Sequence, residues 1–152
     1  MIDLEIKKRI VIKLTSLLDE QIATATKAAK SAEESKSNET KSSAGDKFET
    51  GRAMMQKEQE MNESFLQQKK TLKAKLHQID LQKKYAAVQF GALVGTNKGK
   101  YFISIGLGKL NVENEKYFIV SPDAPIAKLM MGLQLNDSFE MNGVEQMVLS
   151  IH

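Results

Sequence analysis

From Leu4 to Ala32 the chain contains neither proline nor glycine, and apolar or small residues recur seven apart at Leu4, Val11, Leu18, Ala25 and Ala32. Ile10, Leu14, Leu17, Ile22, Ala28 and Ala29 fill the same stripe. A repeat of seven returns to one face of a helix every two turns, so the segment is predicted to be an amphipathic helix with a seam for a partner helix. Between Ser31 and Gly45, "SAEESKSNETKSSAG" loses that period and fills with small polar residues that compete for backbone hydrogen bonds, so the helix should end there, near residue 36. Helix-forming composition resumes from about residue 47 to 81, with only Gly51 interrupting it and apolar residues at Met54, Met61, Phe65, Leu72, Leu76 and Ile79. Two such helices joined by a short polar connection should fold back as an antiparallel hairpin about 45 Å long, at about 1.5 Å per residue. Lengthwise packing in a compact bundle or dimer would satisfy the same stripes.

Beyond Leu81 the texture changes to short runs, "YAAVQFGALVGT", "GKYFISIGLG", "EKYFIVS", "DSFEM" and "VEQMVLSIH", bounded by Asn, Gly, Asp and Pro. These read as an antiparallel sheet. Among them "DAPIAKLMMGL" offers Asp123 as an N-cap, Pro125 for a first turn and Gly132 as a stop, which predicts one short helix. "GLGKLNVEN" lacks the spacing of a phosphate-binding loop and reads as a β turn. The fold class is therefore α+β: a helical hairpin over residues 1–81, then a small, mostly β domain over 82–152.

Composition narrows the chemistry. The 22 basic and 19 acidic residues leave a net charge of +3, too mild for coating nucleic acid or for a polybasic membrane binder. Cysteine is absent, which removes disulfides, thiolate nucleophiles and zinc–thiolate sites. The opening "MIDLEIKKRIVIKLTSLLDE" is broken by Asp3, Glu5, Lys7, Lys8, Arg9 and Lys13, so it reads as neither signal peptide nor membrane span, and a cytoplasmic location is expected. His77 and His152 have no partner at metal-ligand spacing, so histidine-based catalysis is not expected.

Inside the polar connection, "KSSAGDKFET" carries Asp46 and Glu49 three residues apart, on one face of a helix that starts near them. A pair of hard oxygen ligands suits Mg²⁺, which keeps most of its waters and takes one or two protein carboxylates. The same acids also serve simply to cap the second helix and favour its dipole, with Phe48 as a hydrophobic staple. Lys69, Lys70, Lys73 and Lys75, followed by Lys83 and Lys84, form a basic face that is either solvated or drawn to phosphates.

The segment "APIAKLMMGLQLND" (124–137) resembles the Ser-Pro-Ile-Ala-Arg-Ala-Leu-Leu-Gly run followed by Gly-Asp in the C-terminal domain of bacterial Gre factors, and "VQFGALV" (88–94) is similar to the strand that opens that domain. At the connection, Gly45, Asp46 and Glu49 match the family's Gly-Asp-x-x-Glu-Asn stretch. Thr50 replaces the asparagine, and Gly51, Arg52 and Ala53 stand where the family continues Ala-Glu-Tyr. The resemblance implies an N-terminal antiparallel coiled coil followed by an FKBP-like β domain. It implies a monomeric elongation factor that binds bacterial RNA polymerase, inserts the coiled coil into the secondary channel and stimulates cleavage of backtracked RNA in the polymerase active site, without being an enzyme itself. Asp46 and Glu49 would then hold a Mg²⁺ shared with the polymerase, no cofactor being bound in isolation. Docking would fall to Pro125, Ile126, Leu129, Met130 and Met131, although a short amphipathic helix must bury part of that set. Lys69, Lys70 and Lys73 would meet the RNA near its 3′ end. The departures at 50–53 keep open a regulator that binds without stimulating cleavage. An FKBP-like peptidyl-prolyl isomerase is opposed by the absence of tryptophan and the few aromatics available to line a proline pocket.

Overall fold

A computed structural model describes the backbone of residues 2–40 and 45–152, and the side chains of 4–31 and 51–152. Helix α1 spans Ile2–Thr40 and α2 spans Gly45–His77. Strands β1 (Leu93–Thr96), β2 (Lys100–Ile103), β3 (Gly108–Val112) and β4 (Glu115–Val120) follow, then α3 (Pro125–Met130), β5 (Ser138–Met141) and β6 (Val144–Ile151). The α+β class expected from the sequence is the class observed. No helix among the described residues is long and apolar enough to cross a membrane. The chain divides into two compact units, Thr15–Lys73 and Met1–Leu14 with Ala74–His152. The second of these units holds the start of α1 and the end of α2 together with the sheet.

Within Thr15–Lys73 the two helices run antiparallel: the Lys73 ammonium pairs with the Asp19 carboxylate, and Phe65 lies beside Leu17, Gln21 and Thr24. The seam on α1 follows Leu18, Gln21, Ala25 and Ala28, steps of three and four. On α2 the more buried positions up to Lys73 are Gly51, Met55, Gln59, Asn62, Leu66, Lys69, Leu72 and Lys73. Of the stripe expected through Met54, Met61, Phe65, Leu72, Leu76 and Ile79, Leu76 is buried and Leu72 and Ile79 are half-buried, whereas Met54 (66% exposed) and Met61 (64%) face outward. Counting back from buried Leu76 by threes and fours reaches 73, 69, 66, 62, 59 and 55, which bypasses Met54 and Met61.

In the other unit the strand order is β3-β4-β2-β1-β6-β5. All pairs are antiparallel except β2 with β4, which is parallel. The chain leaves β2, returns as β3 one strand-width away, and the β3–β4 hairpin then lays β4 into the gap. That hairpin turns on Glu113 and Asn114, both at positive φ (52° and 65°), as a two-residue turn with right-handed twist requires. "GLGKLNVEN", expected as a turn, is therefore mostly strand, with Leu110 and Val112 buried and Lys109 and Asn111 exposed. The β5–β6 hairpin turns on Asn142 and Gly143 in the same way (φ 53° and 79°).

Both faces of the sheet are covered. Val94, Tyr101, Ile103 and Val148 pack with Ala127 and Met130 of α3 on one face. Cross-strand register places Leu93, Phe102, Ile119, Tyr117 and Leu110 on the other. The first turns of α1 lie over that second face: Lys7 sits above the Phe102 ring, Lys13 donates to the Asn111 carbonyl oxygen, and Arg9 pairs with Glu113. Helix α3 starts at Pro125 with Ala124, not Asp123, as its N-cap, because proline at the first helical position fixes the cap one residue before it. It ends where Gly132 takes φ +83° and donates its N–H to the Val88 carbonyl oxygen at 2.8 Å.

Candidate functional site

Three regions of the described chain carry chemistry. The first is the arm. Asp46 and Glu49 fall one turn apart in the first turns of α2, which begins at Gly45. Their side chains, and that of Phe48, lie outside the described residues, so their metal role stands on sequence alone. Among the described residues no cluster of three or more His, Asp or Glu is placed to hold a metal ion. Of the three lysines assigned to RNA, Lys70 is exposed. Lys69 is half-buried with its ammonium 4.9 Å from the Phe65 ring centroid, and Lys73 is engaged with Asp19. Only Lys70 of the three presents an unengaged charge.

The second region is α3. A six-residue helix on a sheet can turn inward only residues three or four apart, and here these are Ala127 and Met130, both fully buried. Met130 is therefore core, in the part of the expected docking set that a short amphipathic helix has to bury. Ile126 is half-buried against the same core. Leu129 (43% exposed), Met131 (38%), which follows α3 as its C-cap, and Pro125 remain exposed.

The third region was not foreseen from the sequence. A cavity of about 430 Å³ is lined by Leu4, Leu81, Ile151, Tyr85 and His152 together with Lys7, Lys83 and Lys84. Lys7 on α1 is 1% exposed. Its ammonium donates to the His152 backbone oxygen at 3.0 Å and lies 4.5 Å from the Tyr85 ring centroid. Lys83 reaches the same ring, at 5.4 Å. Burial lowers the Lys7 ammonium from its ordinary 10.5 to about 8, opposed by the negative charge of Asp80. Burial, then Asp80, pushes the Tyr85 hydroxyl upward. The Tyr85 position is itself constrained, since a Cβ on Gly91 would come within 2.4 Å of its hydroxyl. A sequence signal for Lys7 existed, because it is in phase with Ile10 and Leu14, at steps of three and four, on the buried side of α1.

Neither family models nor curated proteins give a match to this sequence. Among solved structures the chain is similar to the one titled "Structure of the transcription factor Gfh1", at 15% identity over 93% of this chain and 92% of that one, with a TM-score of 0.35.

Proposed function

We propose that this chain is an RNA polymerase-binding elongation factor of Gre type, whose helical arm enters the secondary channel and stimulates cleavage of backtracked RNA. The observation that carries the reading is the placement of residues 124–137, where the resemblance in sequence is strongest. In that segment Ala127 and Met130 lie in the core while Leu129 and Met131 stay exposed, which leaves two apolar side chains available for a docking contact. The same chain supplies antiparallel helices of 39 and 33 residues with two acids where the second begins.

In this reading the polymerase keeps the catalytic centre and the chain completes it. Asp46 and Glu49, one helical turn apart, offer the hard carboxylate oxygens that Mg²⁺ takes beside phosphate and water. When shared with the polymerase such an ion supplies an activated water and stabilises charge on the cleaved phosphate. Lys70, exposed and unengaged, is the arm's contact for RNA phosphates. A second reading, a channel regulator that binds without promoting cleavage, is favoured by Thr50, Gly51, Arg52 and Ala53, which depart from the family stretch just after the acids.

The test is RNA cleavage in purified backtracked polymerase complexes with the parent and with the Asp46→Asn, Glu49→Gln double variant. Loss of a shared-metal ligand should cost on the order of 10²-fold in rate while binding persists. If the variant cleaves at the parent rate, the acids are helix caps. If the parent competes with a cleavage-promoting factor yet promotes none, the regulator reading holds.

A further inference from the structure

We propose that the outer face of the β5–β6 hairpin docks a basic amphipathic helix of a partner protein. Cross-strand register puts Ser138, Glu140, Glu145 and Met147 on one face of this hairpin, opposite to buried Phe139 and Gln146. Leu149 joins them, since alternation along β6 buries Gln146 and Val148 and turns Met147 and Leu149 out. Helix α3 packs on the other face, against the core that holds Phe139 and Val148. The cover that α1 gives the outer face reaches β2 and the β3–β4 hairpin, through Phe102, Asn111 and Glu113. Over β6 and β5 the side chains remain exposed, Met147 by 40% and Leu149 by 55%.

Charge selects the occupant. Glu140 and Glu145 are direct cross-strand partners. Side chains so placed have Cβ atoms about 4.5 to 5.5 Å apart, and like charges there oppose the pairing. Neither carboxylate forms an ion pair among the described residues. A cation from a partner relieves that opposition, whereas nucleic acid or an anionic lipid surface is repelled. A second copy presenting the same face would bring four carboxylates together, which disfavours self-association. Met147 and Leu149 supply the apolar contact beside the acids, and methionine adapts its shape to what it meets. The chain shows the mode of fit on the same face of the sheet. There the first turns of α1 bury Ile10 and Leu14 while Arg9 pairs with Glu113 and Lys13 donates to the Asn111 carbonyl oxygen. A partner helix with apolar residues on Met147 and Leu149 and lysine or arginine over Glu140 and Glu145 repeats that arrangement. The surface is formed in advance: the Met147 N–H donates to the Asn97 side-chain oxygen at 2.8 Å, and the Met147 carbonyl oxygen accepts from the Asn97 N–H at 3.3 Å. It lies across the sheet from α3 and is separate from the contact proposed for Leu129 and Met131.

NMR titration of the full chain with two alanine-based helical peptides tests this. Both carry leucines four residues apart, flanked by lysines in one and by glutamates in the other. The lysine peptide should shift the Met147 and Leu149 methyl signals first and bind at least about tenfold more tightly than the glutamate peptide. Glu140→Gln with Glu145→Gln should weaken the lysine peptide about three- to thirtyfold, the effect of losing two partly exposed ion pairs. The same double variant should resist urea as well as the parent or better, because the opposed charges are gone, so its weaker binding is not a loss of fold. Met147→Ser with Leu149→Ser should weaken the peptide about tenfold, whereas Glu58→Gln, at an exposed acid of α2, should leave it within about twofold. Equal affinity for the two peptides, shifts elsewhere on the chain, or no binding at millimolar peptide would each overturn the proposal. So would a dimer of the chain alone that the Met147→Ser, Leu149→Ser variant dissolves, which would make a second copy the occupant.

Discussion

Replacing Lys7 with methionine should stabilise this protein near neutral pH, and the gain should vanish as the solution becomes alkaline. The ammonium is lowered from 10.5 to about 8 by burial, and that difference corresponds to about 3 kcal/mol of disfavour for the charged form in the fold. Methionine keeps the unbranched stem and fills the same space without the charge. The His152 backbone oxygen, which loses the Lys7 donor, still accepts from the Leu93 N–H at 2.8 Å, so no acceptor is orphaned. Loss of the hydrogen bond to His152 and of the contacts with the Tyr85 and Phe102 rings offsets part of this, so the net gain expected at pH 7 is about 1 to 2 kcal/mol. The sign of the pH dependence follows from proton counting. Below about 8 both folded and unfolded parent carry the Lys7 proton, so the penalty is complete; between about 8 and 10.5 the folded state releases it while the unfolded state keeps it, and parent stability rises. Urea denaturation of parent and variant at steps from pH 7 to 10 reads this directly. The raised Tyr85 hydroxyl adds an opposing slope at the alkaline end, but its causes, burial and Asp80, are present in both proteins and cancel in the difference. A parent–variant difference that stays flat across the range would refute the reasoning.

Truncating Met130 to alanine should cost about 2 to 5 kcal/mol in thermal or urea unfolding, because the side chain is 0% exposed in the core between α3 and the sheet. Changing Leu129 and Met131 to serine should alter stability by less than about 1 kcal/mol and yet weaken polymerase binding at least tenfold in a competition assay; unchanged binding would move docking away from α3.

Where the sequence was read well, one local rule decided the outcome. The seven-residue repeat of α1 and the Pro125 start of α3 each have a single physical solution. β3 was missed because the Gly and Asn around Leu110 and Val112 look like turn punctuation, and the strand shows only in the alternation of those two residues with Lys109 and Asn111. The parallel β2–β4 pair has no local signature, since it depends on β4 filling a gap between strands distant in sequence. The face of α2 was misread because methionine and phenylalanine outweigh Gln59 and Asn62 in any count of hydrophobic residues, yet the seam runs through the polar pair. Lys7 escaped notice among Lys8 and Arg9, and only the phase of Ile10 and Leu14 separates it from a solvated charge. The acids at 46 and 49 were legible as a motif, and their chemistry awaits the cleavage assay.

The polar seam of the arm leads to a further test. Among the described residues of Thr15–Lys73, only Leu18 and Ala25 are buried apolar side chains, so apolar burial holds the two helices together only modestly. At the same seam the Gln21 side-chain oxygen is buried without a hydrogen-bond partner. An unsatisfied acceptor of this kind costs about 1 to 3 kcal/mol, and leucine at the position would remove that cost while adding apolar contact near Leu17 and Phe65. Gln21→Leu should therefore raise the stability of the arm by about 1 to 2 kcal/mol, read as the helical signal lost on heating or in urea. A polar seam residue also fixes register at a cost in stability, so the variant should be the more stable and the less strictly aligned of the two. Nuclear Overhauser contacts between Phe65 and Thr24 report alignment independently of stability. If Gln21→Leu unfolds more readily while those contacts persist, the oxygen is satisfied in solution and the seam is held by its polar groups rather than in spite of them.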